Sequence, residues 1–153
     1  MSVNKYEKFG SRGFAPSSNT DGNAEGDIVF IGSTASGESN VVAGRLYYLN
    51  SSLDWSYADA DAVGTSTNLL GIAIGSGAPG VVGMLLRGMV TVSVAPGAGA
   101  GIPLYISTNA GQITREAPSG AGDVVRIVGY NVATGTDKKI WFNPDNTWVE
   151  ITG

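Results

Sequence analysis

Residues 43–49 read Ala-Gly-Arg-Leu-Tyr-Tyr-Leu, and residues 100–106 read Ala-Gly-Ile-Pro-Leu-Tyr-Ile, 57 positions later. Each stretch is followed by a polar segment and then by a second apolar run, Leu69–Ile74 after the first and Ile127–Val132 after the second, now 58 positions apart. A fixed period in a sequence is the signature of a repeated structural unit. The sequence therefore predicts two copies of a strand–excursion–strand unit, at about residues 43–74 and 100–132.

Length and composition favour one all-β domain. The chain has 153 residues, of which 42% are apolar, 14% are charged and 23 are glycine. No apolar pattern with the helical period lasts for ten residues, whereas residues 90–94 alternate Val with Thr or Ser, which is typical of a half-buried strand. We predict a single compact β-barrel or β-sandwich over residues 27–153, in which the two units occupy equivalent places and helix is essentially absent.

Two local predictions concern the start and the end of this β domain. Residues 28–31 read Ile-Val-Phe-Ile, which indicates a buried strand because the run is fully apolar, β-branched and aromatic. Near the C-terminus, residues 139–142 and 147–151 are rich in aromatic and β-branched residues and flank Asn-Pro-Asp-Asn at 143–146. That tetrapeptide favours a type I turn, so we predict a hairpin over residues 138–151.

Residues 1–26 are predicted to form an extended N-terminal arm, because apolar residues are sparse and turn-forming residues frequent. Residues 1–14 carry a net charge of +2, which leaves −6 for the rest of a chain whose total is −4. The arm is either a plain polar terminus or a segment that orders on a partner, with aromatic anchors. A basic segment on an acidic body argues against general binding of nucleic acid. The aromatic and basic residues of the arm are Lys5, Tyr6, Lys8, Phe9, Arg12 and Phe14.

The residue types that the chain lacks narrow its chemistry. Without cysteine there is no disulfide, thiolate metal site or cysteine nucleophile, and without histidine the usual general base is missing. Asp54, Asp59 and Asp61 offer too few oxygens at too wide a spacing for a calcium loop. The sequence predicts no enzyme, no cofactor and no metal. It also predicts a soluble chain, since no run reaches membrane-spanning length and residues 1–8 lack the apolar centre of a signal peptide.

Three further patterns in the sequence resemble binding or catalytic sites. Gly75, Gly77 and Gly80 have dinucleotide-binding spacing, but a β-branched, glycine-containing stretch follows where a helix is needed, which favours a hairpin loop. A catalytic carboxylate pair would need two converging acids, and nothing singles out a pair. Tryptophans in strands more often serve cores or interfaces than sugar platforms, although stacking on sugars stays open. The tryptophans are Trp55, Trp141 and Trp148.

Several of these segments resemble a known family. The Ala-Gly strand followed by Leu-Leu-Gly-Ile-Ala-Ile, and the stretch 85–92 that reads Leu-Leu-Arg-Gly-Met-Val-Thr-Val, resemble lambda-type head decoration (cement) proteins of tailed phages. The ending at 140–150, Ile-Trp-Phe-Asn-Pro-Asp-Asn-Thr-Trp-Val-Glu, is similar to endings in structural proteins of cyanophages. The resemblance covers roughly residues 24–151, and residues 138–151 are additional to the compact lambda-type proteins.

The resemblance implies a β-tulip-like fold and a trimeric, non-enzymatic cement protein. Such a protein is made in the host cytoplasm and sits on the head surface of the virion, where its partners are the major capsid protein and its own copies, with no nucleic acid or membrane. The arm residues would contact the capsid. The alternative is a trimeric tail-fibre or receptor-binding tip that recognises host glycan, and a carbohydrate-active enzyme is a distant third class. Candidate subunit-interface residues are Trp141, Phe142 and Trp148.

Overall fold

A computed structural model describes residues 18–35, 40–134 and 136–152. Strands take up 38% of the described residues and helices 5%, so the predicted all-β class is confirmed. The described helical pieces are a 3-10 turn at Val63–Thr65 and the four-residue helix α1, Pro79–Val82. The described strands are Ala24–Val29 (β1), Ser33–Thr34 (β2), Leu46–Leu49 (β3), Asp54–Tyr57 (β4), Leu70–Ala73 (β5), Met84–Thr91 (β6), Pro103–Ile106 (β7), Ile113–Thr114 (β8), Val124–Val125 (β9), Ile127–Asn131 (β10), Lys139–Phe142 (β11) and Val149–Glu150 (β12).

Ten of the strands form one sheet, in the order β2-β4-β3-β5-β6-β11-β10-β7-β8, with β1 paired to β6. The two ends of this path, β2 and β8, do not pair with each other, so of the predicted β-barrel or β-sandwich the barrel is not formed: the sheet is not closed. Both end strands are only two residues long. They therefore offer few backbone groups for closing a ring, which needs a continuous staggered ladder.

The long strand β6 holds the sheet together. Along one edge it pairs with β1, and along the other it pairs first with β5, at residues 84–85, and then with β11, at residues 88–91. The strands of the first half of the chain, β3 to β5, therefore join those of the second half through a single strand. The glycine-containing segment 74–83 links β5 to β6 as antiparallel neighbours, which confirms the hairpin interpretation of that loop.

Two apolar clusters pack on opposite sides of the sheet. Leu46 and Tyr47 are neighbours in β3 and are both fully buried, one in each cluster, as the period-two alternation of a strand requires. The second cluster is closed by Trp55, whose indole Nε1–H donates to the carbonyl of Ile31 at 2.9 Å. The main cluster includes Leu46, Leu70, Ile72, Leu85, Val90, Leu104, Ile106, Ile140 and Phe142. The second cluster consists of Val41, Tyr47, Trp55, Ala73 and Met84.

A β-bulge in β6 changes which face its side chains occupy. The register with β1 passes from Asp27 opposite Arg87 to Ile28 opposite Leu85, so Leu86 is the extra residue. Leu85 and Val90 consequently both point into the main cluster although they are five positions apart. After the bulge, the odd-numbered residues of β6 lie on the same side of the sheet as the second cluster.

The N-terminal boundary differs from the prediction. Residues 24–26, assigned to the arm from sequence, form the first half of β1, and the amide of Gly22 and the carbonyl of Asn23 already bond to Thr91 at 2.8 and 2.9 Å. The predicted strand at 28–31 is also shifted, since β1 ends at Val29 and Phe30 is 60% exposed. The bounds of β1 are set instead by its pairing with residues 84–90 of β6. Residues 1–17 lie outside the described part of the chain.

The predicted C-terminal hairpin is wrong. β11 pairs with β6 on one edge and with β10 on the other, so neither edge is open to the following segment. The chain continues beside β10, where the amides of Asn143 and Asp145 donate to the carbonyls of Val128 and Ile127. β12 then pairs with β9 in a separate two-stranded sheet. The predicted turn at residues 143–146 is therefore also wrong, because residues 143–145 run on beside β10 and the chain bends only at Asn146.

Candidate interaction surface

The second half of the sheet has one face turned into the main cluster and one turned outward. Residues directly opposite each other in antiparallel strands share a face. One row of register partners, with one residue from each of β1, β6, β11, β10 and β7, contains Phe142 and Leu104, which are both fully buried. The adjacent row therefore points the other way, and its register partners are Glu25, Met89, Trp141, Tyr130 and Pro103.

We call this side the outer face. It consists of that row and of the cross-strand pair Asp27 and Arg87, which lies two residues from Glu25 in β1 and from Met89 in β6. Tyr130 is 43% exposed, Arg87 is exposed, and Met89 and Trp141 are half-buried. The guanidinium of Arg87 lies 5.2 Å from the ring centroid of Trp141, within the range of a cation–π contact. The outer face thus combines a broad apolar strip with charge at its β1 side.

The chain enters the outer face from residue 18. Thr91 lies two positions beyond Met89 and points to the same side, and its hydroxyl donates to the carbonyl of Ser18 at 2.9 Å. Thr91 is fully buried, and its backbone also bonds to Gly22 and Asn23. An ion pair between Lys138 and Asp21 holds the same segment. The first described residues are therefore fixed at one end of the outer face.

The predicted interface residues separate in the structure. Trp141 lies in the middle of the outer face. Phe142 is fully buried in the main cluster, so its assignment to a subunit interface is wrong, because adjacent strand residues point to opposite faces. Trp148 is 38% exposed and lies next to β12, which belongs to the smaller sheet. The predicted arm residues, Lys5, Tyr6, Lys8, Phe9, Arg12 and Phe14, fall outside the described residues.

Arg126 is a structural residue that was missed from sequence. It is 6% exposed, and its guanidinium donates to three backbone carbonyls, those of Asp145, Ser66 and Asn68, at 2.8 to 2.9 Å. Burial lowers its pKa, and the charge of Asp145 opposes that shift. The side chain thereby ties the segment after β11 to the loop before β5. A lone charge inside the apolar run 124–128 was the signal that could have revealed it.

The carboxylates of the loop after β4, Asp59 and Asp61, lie near Asp123, an acidic residue from the second half of the chain. The pKa of the Asp61 carboxyl is raised by partial desolvation and then by the charges of Asp59 and Asp123.

No group of three or more acidic side chains suited to holding a metal ion occurs within residues 18–35, 40–134 and 136–152. Within the same ranges, no helix has the length and apolarity needed to cross a membrane. The four-residue α1, which follows Gly75 and Gly77 and contains Gly80, is too short to build a nucleotide site.

Comparison of the chain with models of known families, with curated proteins and with solved structures finds no match. Interpretation of the outer face therefore depends on its own chemistry. A strip that contains Trp, Tyr, Met and Pro with Arg at its edge has the composition of a protein-binding surface, where aromatic residues, Met and Arg are enriched.

A polar pocket of about 330 Å³ lies beside the β7–β8 hairpin. Its lining is dominated by hydroxyl, amide and carboxylate groups, and no tryptophan or tyrosine among the described residues contributes to it. Small-molecule sites are usually lined mainly by apolar and aromatic side chains, with few polar groups. The lining residues are Ser107, Thr108, Asn109, Thr114, Glu116, Ala117, Pro118, Ser119 and Asp123.

Proposed function

We propose that this chain is a non-enzymatic structural protein of a tailed phage, made in the host cytoplasm, that binds and stabilises the icosahedral head as a decoration protein. The observation that carries the proposal is that the residues directly after the N-terminal segment are held in place. Ser18 is hydrogen-bonded to Thr91 of the sheet, and Asp21 forms an ion pair with Lys138. A basic, aromatic segment of 17 residues thus starts from a fixed point on an acidic β body. The resemblance to cement proteins supplies the identity of the partner, the major capsid protein.

The chemistry of the segment suits attachment to a shell. Burial of Tyr6, Phe9 and Phe14 contributes roughly 1.5–3 kcal/mol each. Ordering the backbone costs about 1–2 kcal/mol per residue, so three anchors suffice only if the segment also gains backbone hydrogen bonds. We therefore propose that it adds as an extended strand to a capsid sheet edge, while its basic residues meet acidic capsid groups.

We propose a homotrimer as the unit that attaches, as the resemblance implies. Exposed apolar side chains near β2 support an interface there. Phe30 is 60% exposed, and Leu53 and Val81 are 60% and 77% exposed. Leu53 also has a φ of +64°, an uncommon conformation for a residue other than glycine. An exposed apolar patch of this kind on a water-facing body is typical of an association surface.

We also infer that the β body arose from a duplicated unit. In the first half, Leu46 lies opposite Ile72 and Tyr47 opposite Gly71. The positions 57 and 58 residues later repeat this register, with Pro103 opposite Tyr130 and Leu104 opposite Gly129. Tyr47 and Leu104 nevertheless lie in different environments, since only Leu104 belongs to the main cluster.

The alternative function, a glycan-binding tail-fibre tip, is favoured by one observation, the hydroxyl-rich pocket beside the β7–β8 hairpin. Its hydroxyl, amide and carboxylate groups could hydrogen-bond a sugar. The aromatic strip of the outer face lies on other strands, so the pocket lacks the flat apolar surface on which sugar rings commonly stack. The decoration function therefore stands first.

Cryo-electron microscopy of purified phage heads that lack the chain, before and after addition of the pure protein, tests this proposal. We expect added density on the outer head surface, three copies around each occupied threefold position, and a higher temperature of DNA release. Density confined to the tail, or binding to host-cell glycan without binding to heads, would overturn the proposal and favour the fibre tip. Heads that already carry the chain serve as the control.

A further inference from the structure

We propose that the outer face is a docking site for residues 1–17 of the same chain, so that the N-terminal segment covers the strip around Trp141 and Tyr130 in the isolated protein. This inference concerns the isolated chain and holds whether or not its partner is a capsid. It begins from the place where the described chain starts, at Ser18 on the outer face itself.

Distance favours this occupant. Along β6, Met89 lies two residues from Thr91, which is about 7 Å at the strand rise, and Ser18 is bonded to Thr91. The row from β1 to β7 spans about 20 Å at the usual strand spacing. Seventeen residues can extend to about 55–60 Å, which is enough to cross the whole row. Phe14 lies only four positions before Ser18, so the β6 and β11 part of the strip is within its reach.

The side chains and charges of residues 1–17 and of the outer face also complement each other. The face presents Met89, Trp141 and Tyr130 as an apolar strip, and the segment supplies Tyr6, Phe9 and Phe14 in a sequence otherwise too polar to form a core. Its net charge of +2 meets a body of −6, on which Asp27 lies at the edge of the same face. Aromatic pairs stabilise a contact beyond the effect of simple burial.

Tethering decides between this occupant and a second copy of the chain. A short linker gives a docked segment an effective concentration in the millimolar range. At micromolar protein, the segment of the same chain therefore occupies the face in preference to one from another molecule. If the same aromatic residues also bind a shell, the shell must displace them from the outer face, which makes the docked form the resting state of the protein.

Fluorescence of Trp141 measures the docking in the full chain. A Trp148→Phe background leaves Trp55, which is fully buried, and Trp141, which is half-buried, as the emitters. In that background, a combined Tyr6→Ala, Phe9→Ala and Phe14→Ala change should raise acrylamide quenching severalfold. The matched control changes Asn4, Ser11 and Ser17 to alanine and should leave quenching unchanged. Equal quenching in all three proteins would overturn the proposal.

Trypsin gives an independent readout, since Lys5, Lys8 and Arg12 are cleavage sites within the segment. Tyr130→Ala, on the face, should accelerate cleavage at these sites severalfold, while Trp148→Ala, outside the face, should not. Both replaced side chains are about two-fifths exposed, so neither change empties the core. Cleavage unaffected by Tyr130→Ala would contradict docking. Protection that falls as the protein is diluted would overturn the assignment to the same chain and indicate a second copy.

Discussion

Gly88→Ala should destabilise the protein by about 3–5 kcal/mol. A Cβ at Gly88 would lie 2.3 Å from the carbonyl oxygen of Glu25 and 2.7 Å from the Cα of Gly26. Both are backbone atoms of β1, so relief of the clash requires the β1–β6 pairing to open. The φ of +149° adds strain for any residue with a Cβ. Denaturation in urea, read by circular dichroism, measures the loss.

Gly64→Ala is the matched control for that change. Nothing lies within 4 Å of a Cβ at Gly64, and its φ is not in the left-handed region. Its effect on the free energy of unfolding should stay within about 0.5 kcal/mol. If Gly88→Ala were as stable as Gly64→Ala, the close approach of β1 to β6 would be incorrect, and with it the placement of Ser18 at the outer face.

Arg126→Met should destabilise the protein by about 3 kcal/mol, because the three carbonyls that the guanidinium now satisfies would be left without that donor in a buried place. Methionine keeps most of the volume, so the effect reports hydrogen bonds rather than a cavity. Arg126→Lys should recover only part of the loss, since an ammonium cannot reproduce the planar fork of a guanidinium. Thermal and urea unfolding provide the measurement.

Arg115→Met is the control for charge removal. Arg115 lies on the surface, where its guanidinium is 3.3 Å from Glu116 and donates to the exposed carbonyl of Ala98, and the two side chains are 46% and 79% exposed. A surface ion pair contributes about 0–1 kcal/mol, so this variant should unfold close to the wild type. Equal effects of the changes at Arg115 and Arg126 would mean that Arg126 does not tie the three segments together.

The sequence predicts which segments are strands better than it predicts their partners. The echo at 57 residues, the alternation at Val90 and Val92 and the apolar run at Leu70–Ala73 all fall in or beside strands. Local patterning could not reveal the bulge at Leu86, because a bulge depends on the register with β1. Nor could it exclude the C-terminal hairpin, because β11 is occupied on both edges only after the distant β6 and β10 have paired with it.

The candidate site was predictable only in part. Trp141 was singled out because aromatic residues in a strand often serve an interface, and it does lie on the outer face. Phe142 was grouped with it, although one position along a strand reverses the face, and which of the two points inward depends on the pairing with Gly88 and Gly129. The anchoring of Ser18 on Thr91 joins residues 73 positions apart, and no local signal marks it.

Attachment through the N-terminal segment is the central claim, and binding to purified phage heads that lack the chain tests it most directly. Three proteins are compared at low and high salt: the full chain, residues 18–153, and the full chain with Tyr6, Phe9 and Phe14 changed to alanine. Truncation should stop at residue 17 because Ser18, Gly22 and Asn23 are hydrogen-bonded to Thr91 and residues 24–26 belong to β1. We expect the full chain to bind, more weakly at high salt as screening shortens to a few ångströms, and both variants to lose binding. Equal binding of all three proteins at both salt concentrations would contradict the claim and assign attachment to the β body.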